Sequence, residues 1–156
     1  MVCELSDPNK KGIYGQIAVL KDLTSKGYEV FGEIGNSSKI DLIILDRKYQ
    51  AHKIQVKTCN LYKDKAILNL IKKCLDKKYN ARYTVEQVDV FALYVIEKDV
   101  VIYISAKEAL SKNKSTITFS FGDSRNNQKK GINPAKEYYE IEKSLPCKHC
   151  GDVIDS

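Results

Sequence analysis

The 156-residue sequence predicts an α/β domain in which one mixed sheet is packed against helices. Three features of the sequence indicate this class. Helix-like spacing follows an Asp-Pro pair near the N-terminus, and an Asn-Pro pair opens a similar segment near the C-terminus. Between them, near-continuous apolar runs such as "IDLIIL" are typical of strands covered on both faces. With no linker-like segment before Pro146, we expect one domain over residues 1–145 and a tail over 146–156.

The first predicted element is a helix that begins at Asp7-Pro8, an Asx cap with Pro in the first turn. Gly27 provides its stop signal. Apolar residues recur along it at helical spacing. These residues are Ile13, Ile17, Leu20 and Leu23.

The remaining elements follow from alternation and turn signals. Strands are predicted at 28–34, 40–45, 52–58 and 115–121, with two more inside 89–105 that turn at 97–99. Residues 65–71 fit a strand or a short helix, whereas 76–83 and 122–132 read as polar loops. Short helical turns are predicted at 106–114 and at 84–88, where Thr84 caps and Gln87 takes the capping-box position. A last helix is predicted over 133–145, with Asn133 as its cap.

The composition is that of an ordinary globular protein, with 43% apolar and 29% charged residues. Its net charge of +6, from 26 basic and 20 acidic residues, is compatible with nucleic acid but does not by itself indicate it. The N-terminus lacks the apolar core of a signal peptide, and no apolar run reaches the roughly 20 residues of a membrane span. We therefore expect a cytoplasmic protein without a membrane partner. Five cysteines, an odd number, fit a reducing compartment.

The segment from Ser37 to Cys59, "SSKIDLIILDRKYQAHKIQVKTC", carries the main chemical signal. Strand alternation places Gln55 and Lys57 on the same face, and a neighbouring strand that opens at Asp41 could bring a carboxylate to them. The oxygens of Asp41 and Gln55, with the carbonyl of Val56, would suit Mg²⁺, and Mn²⁺ could substitute for it. Lys57 could then stabilise negative charge on a phosphate. The alternative is an ordinary strand pair with Gln55 and Lys57 exposed on an edge strand.

The arrangement D-x13-Q-x-K, on two paired strands after a helix and a strand, resembles the PD-(D/E)XK nuclease superfamily. It is most similar to the branch that contains a bacterial group I intron homing endonuclease, in which Gln replaces the middle acid. The resemblance covers about Lys11 to Ile141. The flanking segments that carry it are "KGIYGQIAVLKDLTSKGYEV" (11–30), "KIDLII" (39–44), "YTVEQVDVFALYV" (83–95) and "NNQKKGINPAKEYYE" (126–140).

The resemblance implies a restriction-endonuclease-like fold and metal-dependent cleavage of double-stranded DNA. In it, Asp41 and Gln55 would hold the metal and Lys57 would stabilise charge. Gln16 stands where the family has a helix Glu, which leaves Asp41 as the single carboxylate of the motif. A natural variant, an engineered inactivation and compensation by another acid such as Glu33 all fit this departure.

The resemblance also implies partners. DNA contacts are expected from Lys39 and from the polar loop at Ser124–Gly131, which also reads as a solvated hairpin loop. The loop residues expected to contact DNA are Arg125, Asn127, Gln128, Lys129 and Lys130. A small chain with one active site must cut two strands, so a homodimer or homotetramer is expected. A Holliday-junction resolvase and a catalytically silent DNA-binding module are the alternative functions.

Two further candidates are weaker. Cys147 and Cys150 have the spacing of half a zinc site, but the tail offers no further ligands, so Cys3 or a second subunit would have to complete it. A free thiol-bearing tail is the simpler interpretation. His52 could act as a general base, although a turn residue without a catalytic role is the more common case.

Overall fold

The computed structural model describes residues 6–35, 38–73, 80–122 and 133–146. Its helices are α1 (Pro8–Ser25) and α2 (Ala106–Ser111). Its strands are β1 (Glu29–Gly32), β2 (Leu42–Leu45), β3 (Ala51–Cys59), β4 (Lys65–Asn69), β5 (Ile71–Lys73), β6 (Asn80–Arg82), β7 (Val90–Val95), β8 (Val100–Ser105), β9 (Thr116–Ser120) and β10 (Asn133–Pro134). Short 3-10 helices occupy Ile96–Lys98, Ala135–Tyr138 and Ile141–Ser144.

The central sheet has five strands in the order β1-β2-β3-β7-β8. β3 and β7 run parallel, with Gln55 opposite Phe91 and Lys57 opposite Leu93. The other neighbours in this sheet are antiparallel. The predicted α/β class with a mixed central sheet is therefore confirmed, although the expectation of a single sheet is wrong. β10-β9-β4 and β5-β6 form two further sheets.

The two faces of the central sheet are covered differently. Helix α1 packs on one face, where Val19 and Leu23 join Ile54 and Val56 in a common core. On the other face, apolar residues of β4 and β9 pack against Phe91 and its neighbours on β7 and β8. A small sheet thus takes the place that helices were expected to fill. The ambiguous segment 65–71 is extended because β4 pairs with β9.

Helix α1 begins where the sequence predicts, since the Asp7 side chain accepts from the N–H of Asn9 over 2.9 Å. Only one of its four regularly spaced apolar residues, Leu23, is buried. Gly15, Val19 and Leu23 are buried, whereas the other apolar positions are largely exposed. The exposed positions are Ile13 at 59%, Ile17 at 57% and Leu20 at 41%. Both sets have helical spacing, so periodicity alone could not decide which one faces the sheet.

The predicted helix over 133–145 is wrong. Asn133 and Pro134 pair instead with Phe119 and Ser120 as the strand β10, and the Asn133 side chain donates to the carbonyl of Thr118 over 3.1 Å rather than capping a helix. Two 3-10 helices follow within the predicted range. Tertiary pairing therefore overrides a local Asn-Pro start signal.

Two shorter predictions have mixed outcomes. The turn after Thr84 is present, and its N–H donates to the Gln87 side chain over 3.2 Å, as the capping-box position predicts. Residues 80–82, read as loop, form β6, while 74–79 lie outside the described residues. Within the described ranges, no helix is both long enough and apolar enough to cross a bilayer.

Candidate active site

Asp41 lies at the start of β2, where its backbone N–H donates to the Ile54 carbonyl of β3 over 3.0 Å. Its carboxylate is the centre of a small polar cluster. Oδ2 accepts from Nε2 of Gln55 at 2.7 Å and from the N–H of Val56 at 2.9 Å, and Oδ1 accepts from Nε2 of Gln16 at 3.3 Å. Side chains from α1 and β3 therefore meet on one carboxylate.

Strand alternation in β3 separates core residues from functional candidates. Ile54 and Val56 belong to the core under α1. Gln55 and Lys57 face the other side of the sheet, beside the β7 residues with which they pair. Gln55 is only 8% exposed and Lys57 is half-buried. The alternative of an exposed edge strand is wrong, because β3 is the third of five strands.

The Lys57 ammonium lies over the ring of Tyr83, with Nζ 5.0 Å from the ring centroid. In the described part of the chain, Lys57 forms no ion pair with a carboxylate. Burial lowers the pKa of Lys57, and the charge of Asp41 opposes that shift. Asp41 therefore attracts Lys57 through space, while an aromatic ring supplies the direct contact.

Burial raises the pKa of Asp41, against the Val56 N–H bond and the charge of Lys57, which both lower it. The negative charge of Glu33 also raises the pKa of Asp41, so this acid lies close to the site. Glu33 also donates its N–H to the Asp41 carbonyl at 3.4 Å, and its carboxylate accepts from the N–H of Ser38 at 2.9 Å. Lys39, half-buried, stands two residues before Asp41.

Lys72 and Tyr83 also lie at the site, and neither was predicted from the sequence as a site residue. The charge of Lys72 acts on the pKa of both Asp41 and Lys57, which places it beside the site. Lys72 belongs to β5, which pairs with β6, and Tyr83 directly follows β6. Tyr83 opens the segment 83–95 that carries part of the family resemblance, but nothing in that segment indicates a contact with Lys57. Lys72 belongs to no motif, and the packing of β5 and β6 brings both residues to β3.

The donor set around Asp41 consists of oxygen-bearing groups, which suits a hard divalent cation. The Val56 carbonyl lies 3.3 Å from the Gln55 amide, and Oε1 of Gln55 is buried without a hydrogen-bond partner among the described groups. Gln55 thus has an uncommitted oxygen within the cluster. The described ranges contain no group of three His, Cys, Asp or Glu side chains placed to hold a metal. The set therefore fits Mg²⁺ by donor type but carries little negative charge.

His52 lies outside this cluster. It is fully buried on the α1 side of β3, and its Nε2 lies 2.8 Å from Oδ2 of Asp46. The His52 ring therefore bonds across the turn between β2 and β3 and does not face Lys57. Cys59 is a free, half-buried thiol that packs against the core. The candidate DNA-contacting residues Arg125, Asn127, Gln128, Lys129 and Lys130 lie outside the described residues, as do Cys147 and Cys150.

Comparison with known proteins agrees with this architecture. No protein of curated function matches the sequence. Among solved structures, a bacterial homing endonuclease, I-Ssp6803I, superposes with a TM-score of 0.70 at 18% identity, over 88% of this chain and 92% of that one. At that identity the likeness shows a shared fold. The family model described as PD-(D/E)XK endonuclease matches residues 6–141, and the chain therefore belongs to the PD-(D/E)XK endonuclease family.

Proposed function

We propose that this protein is a Mg²⁺-dependent endonuclease that hydrolyses phosphodiester bonds of double-stranded DNA, in the manner of a homing endonuclease. The observation that carries the proposal is the cluster in which Gln16, Gln55 and Val56 all bond to the Asp41 carboxylate, beside the half-buried cation of Lys57. A half-buried carboxylate, an uncommitted amide oxygen and a half-buried lysine at one sheet position are costly to fold and useful for chemistry.

Asp41 would hold the cation through its carboxylate, with the amide oxygen of Gln55 and the carbonyl of Val56 as neutral ligands. Gln16 reaches the other carboxylate oxygen and would complete the set. The Gln16 and Gln55 amides now donate to Asp41, so each would turn its oxygen towards the cation. When bound, a divalent cation supplies Lewis acidity that polarises a phosphoryl oxygen and favours deprotonation of water.

The lysines act on the phosphate. During hydrolysis a water oxygen forms a bond to phosphorus while the ester bond to the leaving oxygen breaks, and negative charge grows on the phosphoryl oxygens. Lys57 is fixed where it can stabilise that charge, and burial in a low-dielectric site strengthens the effect. Lys72 adds a second positive charge near the same position.

A catalytically silent DNA-binding module is the strongest competing function, because both side chains that bond to Asp41, those of Gln16 and Gln55, are uncharged. Plasmid nicking separates the two. Supercoiled DNA is incubated with the protein and Mg²⁺ or Mn²⁺, beside Lys57→Met and the control Lys107→Met, which changes an exposed lysine on α2. We expect nicking by wild type and the control, and at least ~100-fold less by Lys57→Met.

Binding without nicking in either metal would support the silent module instead. Preferential cleavage of a four-way junction over linear duplex would favour a resolvase. Equal nicking by Lys57→Met and wild type would remove the assignment of this site.

We further propose that the protein acts as a homodimer, or as a tetramer built from such dimers, through the exposed face of α1. Ile13, Tyr14, Ile17 and Leu20 form a row of exposed apolar side chains there. A groove of ≈ 460 Å³ adjoins it and is lined by Tyr14 and Ile17 together with the oppositely charged Lys21 and Asp99. Because the patch carries both signs of charge, two copies related by a two-fold axis could pair Lys21 of one with Asp99 of the other.

The α1 interface is tested by sedimentation velocity at several protein concentrations. Ile17→Arg should yield monomers, whereas Ile67→Arg, at an exposed position on β4, should leave the oligomer intact. The charge reversals Lys21→Glu and Asp99→Lys should each weaken association and partly restore it when combined. A wild-type monomer at all concentrations, or an oligomer indifferent to Ile17→Arg, would exclude this interface.

A further inference from the structure

The side chain of Lys57 poses a positioning problem. Its four-carbon stem has several rotatable bonds, and ordering such a side chain costs conformational entropy. A carboxylate partner would usually fix the ammonium, but Lys57 forms no ion pair within the described residues. Among the described residues, the group in direct contact with its ammonium is therefore an uncharged one.

Tyr83 is the group in contact. Its ring centroid lies 5.0 Å from Nζ of Lys57, within the range in which a cation is attracted to an aromatic face. Tyr83 is only 3% exposed, so little water competes with the ring for the ammonium. Such contacts are worth most when they are desolvated.

The ring is itself held from behind. Tyr83 meets Phe91 edge to face, with centroids 5.5 Å apart and planes at 81°. Phe91 pairs with Gln55 across β3 and β7, so the same ring stack borders two members of the candidate site. The backbone N–H of Tyr83 also donates to the Leu70 carbonyl at 3.4 Å. These contacts leave the ring little freedom to move away from Lys57.

We propose that Tyr83 is the positioning residue for Lys57: its ring face, rather than its hydroxyl, holds the ammonium where the scissile phosphate would lie. The inference rests on the proposed nuclease function, but the contact can be tested without it. The β5–β6 hairpin thereby contributes to a site whose motif residues lie on other elements.

The first test is spectroscopic and needs no substrate. In protein labelled with ¹³C-lysine, the ring current of Tyr83 should shift the Cε protons of Lys57 upfield, with the resonance assigned by its loss in Lys57→Met. Tyr83→Phe should keep the shift and Tyr83→Leu should abolish it. Phe119→Leu, which removes a buried ring that stacks on Tyr138, should keep it. A Lys57 resonance unshifted in wild type, or unchanged in Tyr83→Leu, would overturn the proposal.

The second test measures single-turnover cleavage at saturating protein, together with the DNA dissociation constant. Tyr83→Phe should cleave within about threefold of wild type, whereas Tyr83→Leu should lose about tenfold or more in rate with little change in DNA affinity. Phe119→Leu, which removes a fully buried ring that stacks on Tyr138 instead, is the control for a lost buried ring, and circular dichroism checks that each variant is folded. Equal rates for Tyr83→Leu and Phe119→Leu would contradict positioning.

The two tests fail separately. If wild type cuts no DNA while the upfield shift is present and depends on Tyr83, the nuclease proposal has failed and the contact stands. If wild type cuts DNA without the shift, Tyr83 does not position Lys57.

Discussion

Gly15 of α1 lies directly against Thr58 of β3. A Cβ built on Gly15 would stand 1.8 Å from Oγ1 of Thr58 and 3.1 Å from its Cβ, so no larger residue fits without movement. This close approach determines how α1 is rotated on the sheet. It also brings the next residue, Gln16, to the Asp41 carboxylate.

Gly15→Ala should therefore destabilise the protein by about 1–3 kcal/mol, the usual cost of overpacking, despite the better helix propensity of Ala. Urea unfolding measures the change. Gly12→Ala is the matched control, since its Cβ would meet nothing within 4 Å, and it should stabilise by up to about 1 kcal/mol. Adding Thr58→Ala to Gly15→Ala should recover part of the loss. Identical behaviour of the two glycine variants would exclude the close contact.

Gln16→Glu should raise cleavage at low Mg²⁺, with the advantage shrinking as Mg²⁺ increases. A second carboxylate beside Asp41 attracts a hard cation more strongly than an amide does. The cleavage rate over a Mg²⁺ titration measures this, and Gln16→Leu, which keeps the bulk without the oxygen, should cleave less than wild type at low Mg²⁺. No effect of Gln16→Glu at any concentration would mean that Gln16 does not face the metal.

Lys57→Met should abolish cleavage and stabilise the fold. Burial is the main reason that the pKa of Lys57 is lowered, so folding disfavours its charged form and Met removes that cost. The gain in the free energy of unfolding is complete below the pKa of Lys57 in the folded protein. It should vanish as the pH rises towards 10.5, where the lysine of the unfolded chain also loses its proton. Unfolding free energies between pH 7 and 10 check this. A variant less stable than wild type at pH 7 would contradict the prediction.

Lys72→Met should weaken DNA binding more than it slows chemistry. If Lys72 contacts a phosphate, its loss should reduce the slope of log K against log salt by about 0.9. Fluorescence anisotropy at several salt concentrations gives that slope, and Lys107→Met should leave it unchanged. An unchanged slope for Lys72→Met would mean that Lys72 contacts no phosphate and that its charge acts only on the pKa values of Asp41 and Lys57.

Asp46→Asn should cost about 1 kcal/mol at pH 6 and nothing near pH 2. The bond from His52 lowers the pKa of Asp46 to about 2, so the stability that it contributes is present above 3.8 and is lost as the pH falls through about 2. Asn keeps an oxygen for the N–H groups of Lys48 and Gln50. Urea unfolding from pH 2 to 6 measures the difference in stability between Asp46→Asn and wild type. A difference that persists at pH 2 would mean that Asp46 stabilises the protein through its bonds in the β2–β3 turn and not through the charge of its carboxylate.

Local patterns in the sequence account for much of this architecture. A side-chain period of two was enough to place Gln55 and Lys57 on the face opposite Ile54 and Val56, because alternation is a property of any extended chain. The Asp7 cap and the Gln87 capping-box bond are likewise short-range contacts, made within a few residues.

Contacts between distant segments decided the rest. Two apolar rows on α1 have equal periodicity, and the fit of Gly15 against Thr58, 43 positions apart, selects the row that is buried. Pairing of Asn133 with Phe119 turns a predicted helix start into a strand. Tyr83 reaches Lys57 only because β5 and β6 fold back against β3. No local propensity encodes such contacts, since each depends on how separate elements pack in three dimensions.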